Sequence, residues 1–566
     1  MQADILLKNA LVLDGTGQAP AIQDVAIKDG KVLTLGKNLA QEALQTIDAT
    51  GLALMPGIID SHTHFDAQIT WDSTLRPSPA LGVTTAVIGN CGFAIAPCKP
   101  EHRSITMRNL TQVEGMSLEV LEGAIDWGFE SFPQYLDMLR RKGSVANVAA
   151  YIGHSSVRTY VMGAAAAERT ASNDEITEMA SIVAEAMQAG AVGLASSTSP
   201  AHNGEGGKPM PSRLASDAEH LALISAMAAP FKGRRHGVYM VTKGGDMPVS
   251  LLEDMAAAAQ RPVMIAALLH NSTNPTGVFK DLDAIAAANQ RGRKLIGQVS
   301  CCPLSMDFTL VSPYPVEGLK SWRPALGKSG DALKAVLADT SFRDGIRAEL
   351  ASPTSFRLFN GEWNKLHITE AATAEYAALE QRPFGELART LGRDPLDLML
   401  DIALAEDLRT VFTAMLLNSD EAAVGDMLNH PNSLISLSDA GAHLTFFNDA
   451  GFGLHLMGHW VRERGVMTLH EAVRQLTSLP ASIFGMVGRG RIAPGYAADL
   501  LLFDPTTVAR GPKQRVNDLP GNAPRLHTDA VGVHGVWVNG QLVANAQGML
   551  PAAPLAGKLI TEFAPY

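Results

Sequence analysis

Cysteine is scarce in this chain, with four residues in 566, Cys91, Cys98, Cys301 and Cys302. That is too few for a disulfide scaffold and points to a reducing compartment. The adjacent Cys301 and Cys302 cannot close an ordinary disulfide within a strand. Basic charge is also short: 46 Lys and Arg stand against 57 Asp and Glu, a formal net charge of −11. No broad basic field exists to attract a phosphate backbone or an anionic membrane surface, which argues against nucleic-acid and membrane partners. Long apolar runs are missing as well, none approaching the ~20 residues that span a bilayer. The opening Met1-Gln2-Ala3-Asp4-Ile5-Leu6-Leu7 has neither a basic stretch nor a sustained apolar one, so the expectation is a cytoplasmic protein. What is plentiful is core-forming material, 46% apolar against 18% charged residues. At roughly 100–200 residues per domain, this length supplies a large core and at least one satellite.

The two ends of the chain share a texture. Short apolar runs alternate with turn signals such as Asp14-Gly15-Thr16-Gly17 and Lys28-Asp29-Gly30-Lys31, and the same pattern returns from Ala498 to Val543, where Asn539-Gly540 marks a two-residue hairpin. This predicts one small β domain built from residues 1–55 and 488–566. Between them, strand-length apolar runs alternate with helical patterns, as βα units do. Eight strand candidates end near His64, Cys91, Tyr151, Ser196, Lys243, His270, Ser300 and Asp439. Helix starts at Ser172-Asn173-Asp174-Glu175 and Thr468-Leu469-His470-Glu471 fit a capping box. The fold class expected is α/β, a (β/α)8 TIM barrel over residues 56–487, with an inserted subdomain or lid from about 310 to 428.

Three segments carry residues suited to chemistry. In Pro56-Gly57-Ile58-Ile59-Asp60-Ser61-His62-Thr63-His64, residues two apart in a strand face the same side. His62 and His64 can therefore present two imidazoles to one metal ion at the mouth of the first barrel strand. In Ser436-Leu437-Ser438-Asp439-Ala440-Gly441-Ala442-His443, a carboxylate leaves a strand end in an apolar and glycine-rich setting. Asp439 there can hold a water and shuttle its proton, or simply cap the next turn. In Gly89-Asn90-Cys91-Gly92, Cys91 offers either a thiolate for zinc or a small buried hydrophobe.

These segments, together with Gly82-Val83-Thr84-Thr85-Ala86-Val87-Ile88, Gly153-His154-Ser155-Ser156-Val157-Arg158 and Gly488-Arg489-Gly490-Arg491-Ile492-Ala493-Pro494-Gly495, resemble the amidohydrolase superfamily. Within it they most resemble the N-acyl-D-amino-acid deacylases, or D-aminoacylases. The resemblance runs through nearly the whole chain in order. It implies a metal-dependent barrel with a flanking β-sandwich, His62, His64 and Cys91 as metal ligands, and Asp439 as ligand and general base. It further implies hydrolysis of the amide bond of a small-molecule N-acyl amino acid, most of all an N-acyl-D-amino acid, with one or two zinc ions per chain. A homo-oligomer is compatible with it and the oligomeric state stays open.

The chain departs from that family where D-aminoacylases usually place zinc-binding histidines at the ends of strands five and six. Strand five ends in Thr242-Lys243, and strand six has no histidine until His270. An extended or bulged strand would bring His270 to the metal. Lys243 offers either a substrate-binding point charge or a carboxylated bridging lysine. Arg158, through its planar fork, and His443 are further candidates for binding substrate. Two other readings stand beside the deacylase: a cyclic amidase of hydantoinase or dihydroorotase type, which needs two metals and a bridging lysine, and a catalytically silent binding protein.

Overall fold

The computed structural model describes residues 2–230, 236–352, 357–443 and 445–565. Eight parallel strands form its centre: β1 (Ile58–Asp60), β2 (Val83–Ile88), β3 (Asn147–Gly153), β4 (Gly193–Ser197), β5 (Val238–Thr242), β6 (Val263–Leu268), β7 (Leu295–Val299) and β8 (Ser433–Ile435). Each pairs with the next, except that β8 follows β7 across the insertion. The sheet closes into a barrel beyond β1 and β8, where Thr63 bridges Ala440 and the His64 N–H donates to the Ala440 carbonyl at 2.7 Å. Helices cover the outside, so β2, β3 and β4 are buried along their whole length.

The two chain ends meet in a nine-stranded sheet. Leu500–Phe503 pairs antiparallel with Ala53–Pro56, and Val533–Val538 turns through Asn539-Gly540 into Gln541–Asn545. Both turn residues have positive φ, 45° and 78°, as a two-residue hairpin of this hand requires. Leu7, Val25, Leu54, Leu500 and Trp537 supply its buried face. Both predicted helix starts are capped by side chains: Ser172 and Glu175 form a reciprocal capping box, and Thr468 accepts from the Glu471 N–H.

The insertion leaves the barrel after β7 and returns before β8. It has its own antiparallel sheet of Leu304–Phe308, Leu366–Glu370 and Val411–Leu417, and its own core around Trp322, Phe384 and Phe412. That sheet starts earlier than the sequence pattern marks. The helix Glu421–Leu428 packs instead into the barrel core through Val424, Met427 and Leu428. Asn418 ties the insertion to the barrel's C-terminal side by donating to the carbonyls of Ser300 and Cys302. Among the described residues, no helix is long and apolar enough to cross a membrane.

Candidate metal centre

The C-terminal ends of the strands surround a cavity of about 80 Å³, at the end where barrel folds build their sites. His62 and His64 reach it from the segment after β1, Cys91 from the turn after β2, and Asp439 and His443 from the segment after β8. The backbone there is held in uncommon conformations. Cys91, Leu437, Asp439 and His443 all have positive φ, at 55°, 73°, 48° and 52°. Such conformations persist in non-glycine residues only where surrounding structure imposes them. Gly441 (φ +93°) lets the last segment pass against β1, since a Cβ there would lie 2.7 Å from the His64 carbonyl carbon.

The donor atoms converge. One ring nitrogen each from His62 and His64 and the Sγ of Cys91 all lie within 4.8 Å of one another, and all three residues are buried. Two imidazoles and a thiolate are borderline-soft donors that suit zinc. Oδ1 of Asp439 is 3.2 Å from His62 Nε2 and 3.4 Å from His64 Nε2. The other ring nitrogens are taken. His62 Nδ1 donates to Oε1 of Gln298 at 2.8 Å, and Gln298 in turn donates to Ser61 Oγ at 3.0 Å. His64 Nδ1 lies 3.2 Å from Oε1 of Glu114. Both rings are therefore held with Nε2 turned toward the shared point.

Electrostatics favour charged donors. Burial works against ionising Cys91, but His62 and His64 outweigh it and lower its thiol pKa. Burial likewise opposes the Asp439 carboxylate, yet His62, His64 and His443 hold it well below the usual carboxylate range. His202, also on the cavity, is pushed down to about 3 by burial, with His443 adding to the effect, and stays neutral.

Three expected residues are not brought to this cavity. Lys243 follows Thr242, and successive strand residues face opposite ways. The Thr242 hydroxyl thus points inward, 3.1 Å from Cys91 Sγ, while Lys243 pairs with Asp281 at 3.1 Å. His270 lies beyond the end of β6, where its N–H donates to the Asn418 side chain at 2.7 Å and its carbonyl accepts from the Asn418 N–H at 2.9 Å. The residue of that segment that does line the cavity is Ala267. Arg158 is fully buried and paired with Glu219, which also meets His154 Nε2 at 2.8 Å. Cys301 and Cys302 are buried in packing, with Trp460 donating to the Cys301 carbonyl.

Glu114 and Gln298 went unmarked in the sequence. Gln298 carried a usable signal, a polar residue inside the apolar strand Leu295–Val299. Glu114 carried none, because it lies far in sequence from its imidazole partner His64 and outside any motif.

A profile of the amidohydrolase family matches residues 45–297 and 348–544. The chain belongs to the amidohydrolase family. It is an enzyme of carbon–nitrogen bonds, and several relatives match it over nearly its whole length. An N-acyl-D-aspartate deacylase of Alcaligenes xylosoxydans xylosoxydans is 27% identical, over 96% of this chain and 92% of that protein. A D-aminoacylase of the same organism is 26% identical, over 96% and 95%. The crystal structure of a D-aminoacylase superposes with a TM-score of 0.66 at 25% identity, covering 99% of this chain and 100% of that one.

Proposed function

We propose that this amidohydrolase cleaves the amide bond of N-acyl-D-amino acids at a centre that holds one zinc ion. The observation that carries the reading is the convergence of His62, His64 and Cys91 on one point beside Asp439. The full-length likeness to proteins named D-aminoacylase and N-acyl-D-aspartate deacylase supports the substrate class. A single ion is favoured because the inward positions at the ends of strands five and six are Thr242 and Ala267, neither of which is a zinc ligand of ordinary strength.

His62, His64 and Cys91 would hold the zinc ion, which would supply Lewis acidity at the cavity. Asp439, kept ionised by the surrounding imidazoles, accepts a proton from the attacking water. The water oxygen bonds to the acyl carbon, the carbon–nitrogen bond breaks, and Asp439 returns the proton to the departing amine. Among the described residues the buried Nδ1 of His443 has no hydrogen-bond partner, and the ring lines the cavity, which suits it to hold a substrate oxygen. Phe93, Val113 and Leu437 limit water around the reacting bond.

The cyclic-amidase reading needs a bridging lysine, and Lys243 is turned away onto Asp281. Elemental analysis of protein purified without chelator, followed by assay on N-acetyl-D- and N-acetyl-L-amino acids, tests the proposal. About one zinc per chain and turnover of the D series are expected. Turnover of cyclic amides alone by the zinc-loaded protein would overturn the substrate class.

A further inference from the structure

Glu114 breaks two local rules. It is an acidic residue at the C-terminal end of a helix, Arg103–Glu114, where the helix dipole disfavours negative charge. It is also 2% exposed, and a buried carboxylate is costly unless partnered. Local-rule violations of this kind gather at functional sites. Its partners explain its place. Oε1 lies 3.2 Å from His64 Nδ1, and Oε2 lies 3.6 Å from His443 Nε2. The His443 N–H donates to the Glu114 carbonyl, which locks the two segments together. The other histidine of the pair, His62, rests on the neutral amide of Gln298 instead.

We propose that Glu114 is a positioning residue for the metal centre, setting His64 through one carboxylate oxygen and His443 through the other. This rests on the reading that His62, His64 and Cys91 hold a metal. A carboxylate 3.2 Å from His64 Nδ1 favours the ring's proton on that nitrogen by charge attraction, which leaves the Nε2 lone pair free at the donor cluster and makes the ring a stronger donor than one resting on an amide. The other oxygen of the same carboxylate lies 3.6 Å from Nε2 of His443, whose ring lines the cavity. One side chain thereby couples the placing of the metal to the placing of the substrate.

The test is zinc affinity, by competition with a chromophoric chelator, in the full chain and in Glu114→Gln and Glu114→Leu. Gln keeps the shape and a polar oxygen without the charge, and Leu offers neither charge nor acceptor. The expected order is wild type tightest, Gln weaker and Leu weakest, with a loss of about 10–100-fold for Leu. The melting temperature of the zinc-free Gln variant stays at the wild-type value. A purely structural role would shift melting and leave the zinc affinity of the folded variants unchanged, which overturns the proposal. Should the Leu variant not fold, equal affinity of the Gln variant and the wild type overturns it equally. A wild-type chain that takes up no zinc removes the metal reading itself and this role with it.

Discussion

The hydroxyl of Thr242 lies 3.1 Å from the sulfur of Cys91, so an inward-facing neutral group occupies the end of strand five beside a metal-donor thiol. With Ala267 as the inward residue of strand six, the ends of strands five and six turn no zinc ligand of ordinary strength toward the cavity. Elemental analysis is expected to give about one zinc per chain for the native protein. Restoring imidazoles with Thr242→His plus Ala267→His is expected to raise it toward two, and an unchanged count would mean that these positions do not face Cys91 as described.

Removing the charge of Asp439 separates proton transfer from metal binding. Asp439→Asn is expected to lower kcat by about 10²–10⁴-fold, the usual scale for a lost general base, with folding and zinc content nearly unchanged. Activity within a few-fold of wild type would remove Asp439 from that role.

The donor set makes a different prediction from the base. His62→Ala and Cys91→Ala are expected to lose zinc in the same elemental analysis, because each takes away one of three converging donors. Full zinc content in Cys91→Ala would return that thiol to packing.

Lys243 is expected to be dispensable. Its ammonium meets Asp281, and the side chain, 15% exposed, lies outside the cavity, so Lys243→Met should keep both hydrolysis and zinc content while costing about 0–1 kcal/mol of stability. A variant that loses a metal ion or its activity would favour the bridging-lysine chemistry of a cyclic amidase.

Glu219 tests the buried network that holds Arg158. Burial by itself raises this carboxyl, but His154 and Arg158 outweigh it and bring it down to about 2. A carboxylate with a depressed folded pKa stabilises above its unfolded value and loses that contribution as pH falls toward the folded one. The contribution is therefore lost between about pH 4.5 and pH 2. Glu219→Gln, which leaves the Arg158 guanidinium uncompensated, is expected to cost about 3–5 kcal/mol in denaturant unfolding at neutral pH and to flatten that acid limb.

Much of this architecture was written in local patterns. The barrel strands are legible because parallel strands covered on both faces must be apolar throughout, and Val83–Ile88 and Val263–Leu268 are nearly so. The Asn539-Gly540 turn and the Ser172 capping box depend on neighbours a few residues away and were equally plain. His62 and His64 declared themselves by their spacing within one segment. Strand parity could also have told Thr242 from Lys243, since only one of two adjacent residues can face inward.

The sequence alone determined the barrel, the paired imidazoles and the family resemblance, because each rests on short-range periodicity or on a contiguous motif. Only the tertiary structure decided that His270 is held by Asn418, that Arg158 is spent on Glu219, and that Glu114 stands between His64 and His443. Those outcomes depend on contacts between segments far apart in the chain. Long-range packing and the pairing of buried charges choose among such partners, and neither leaves a periodic trace in the order of residues.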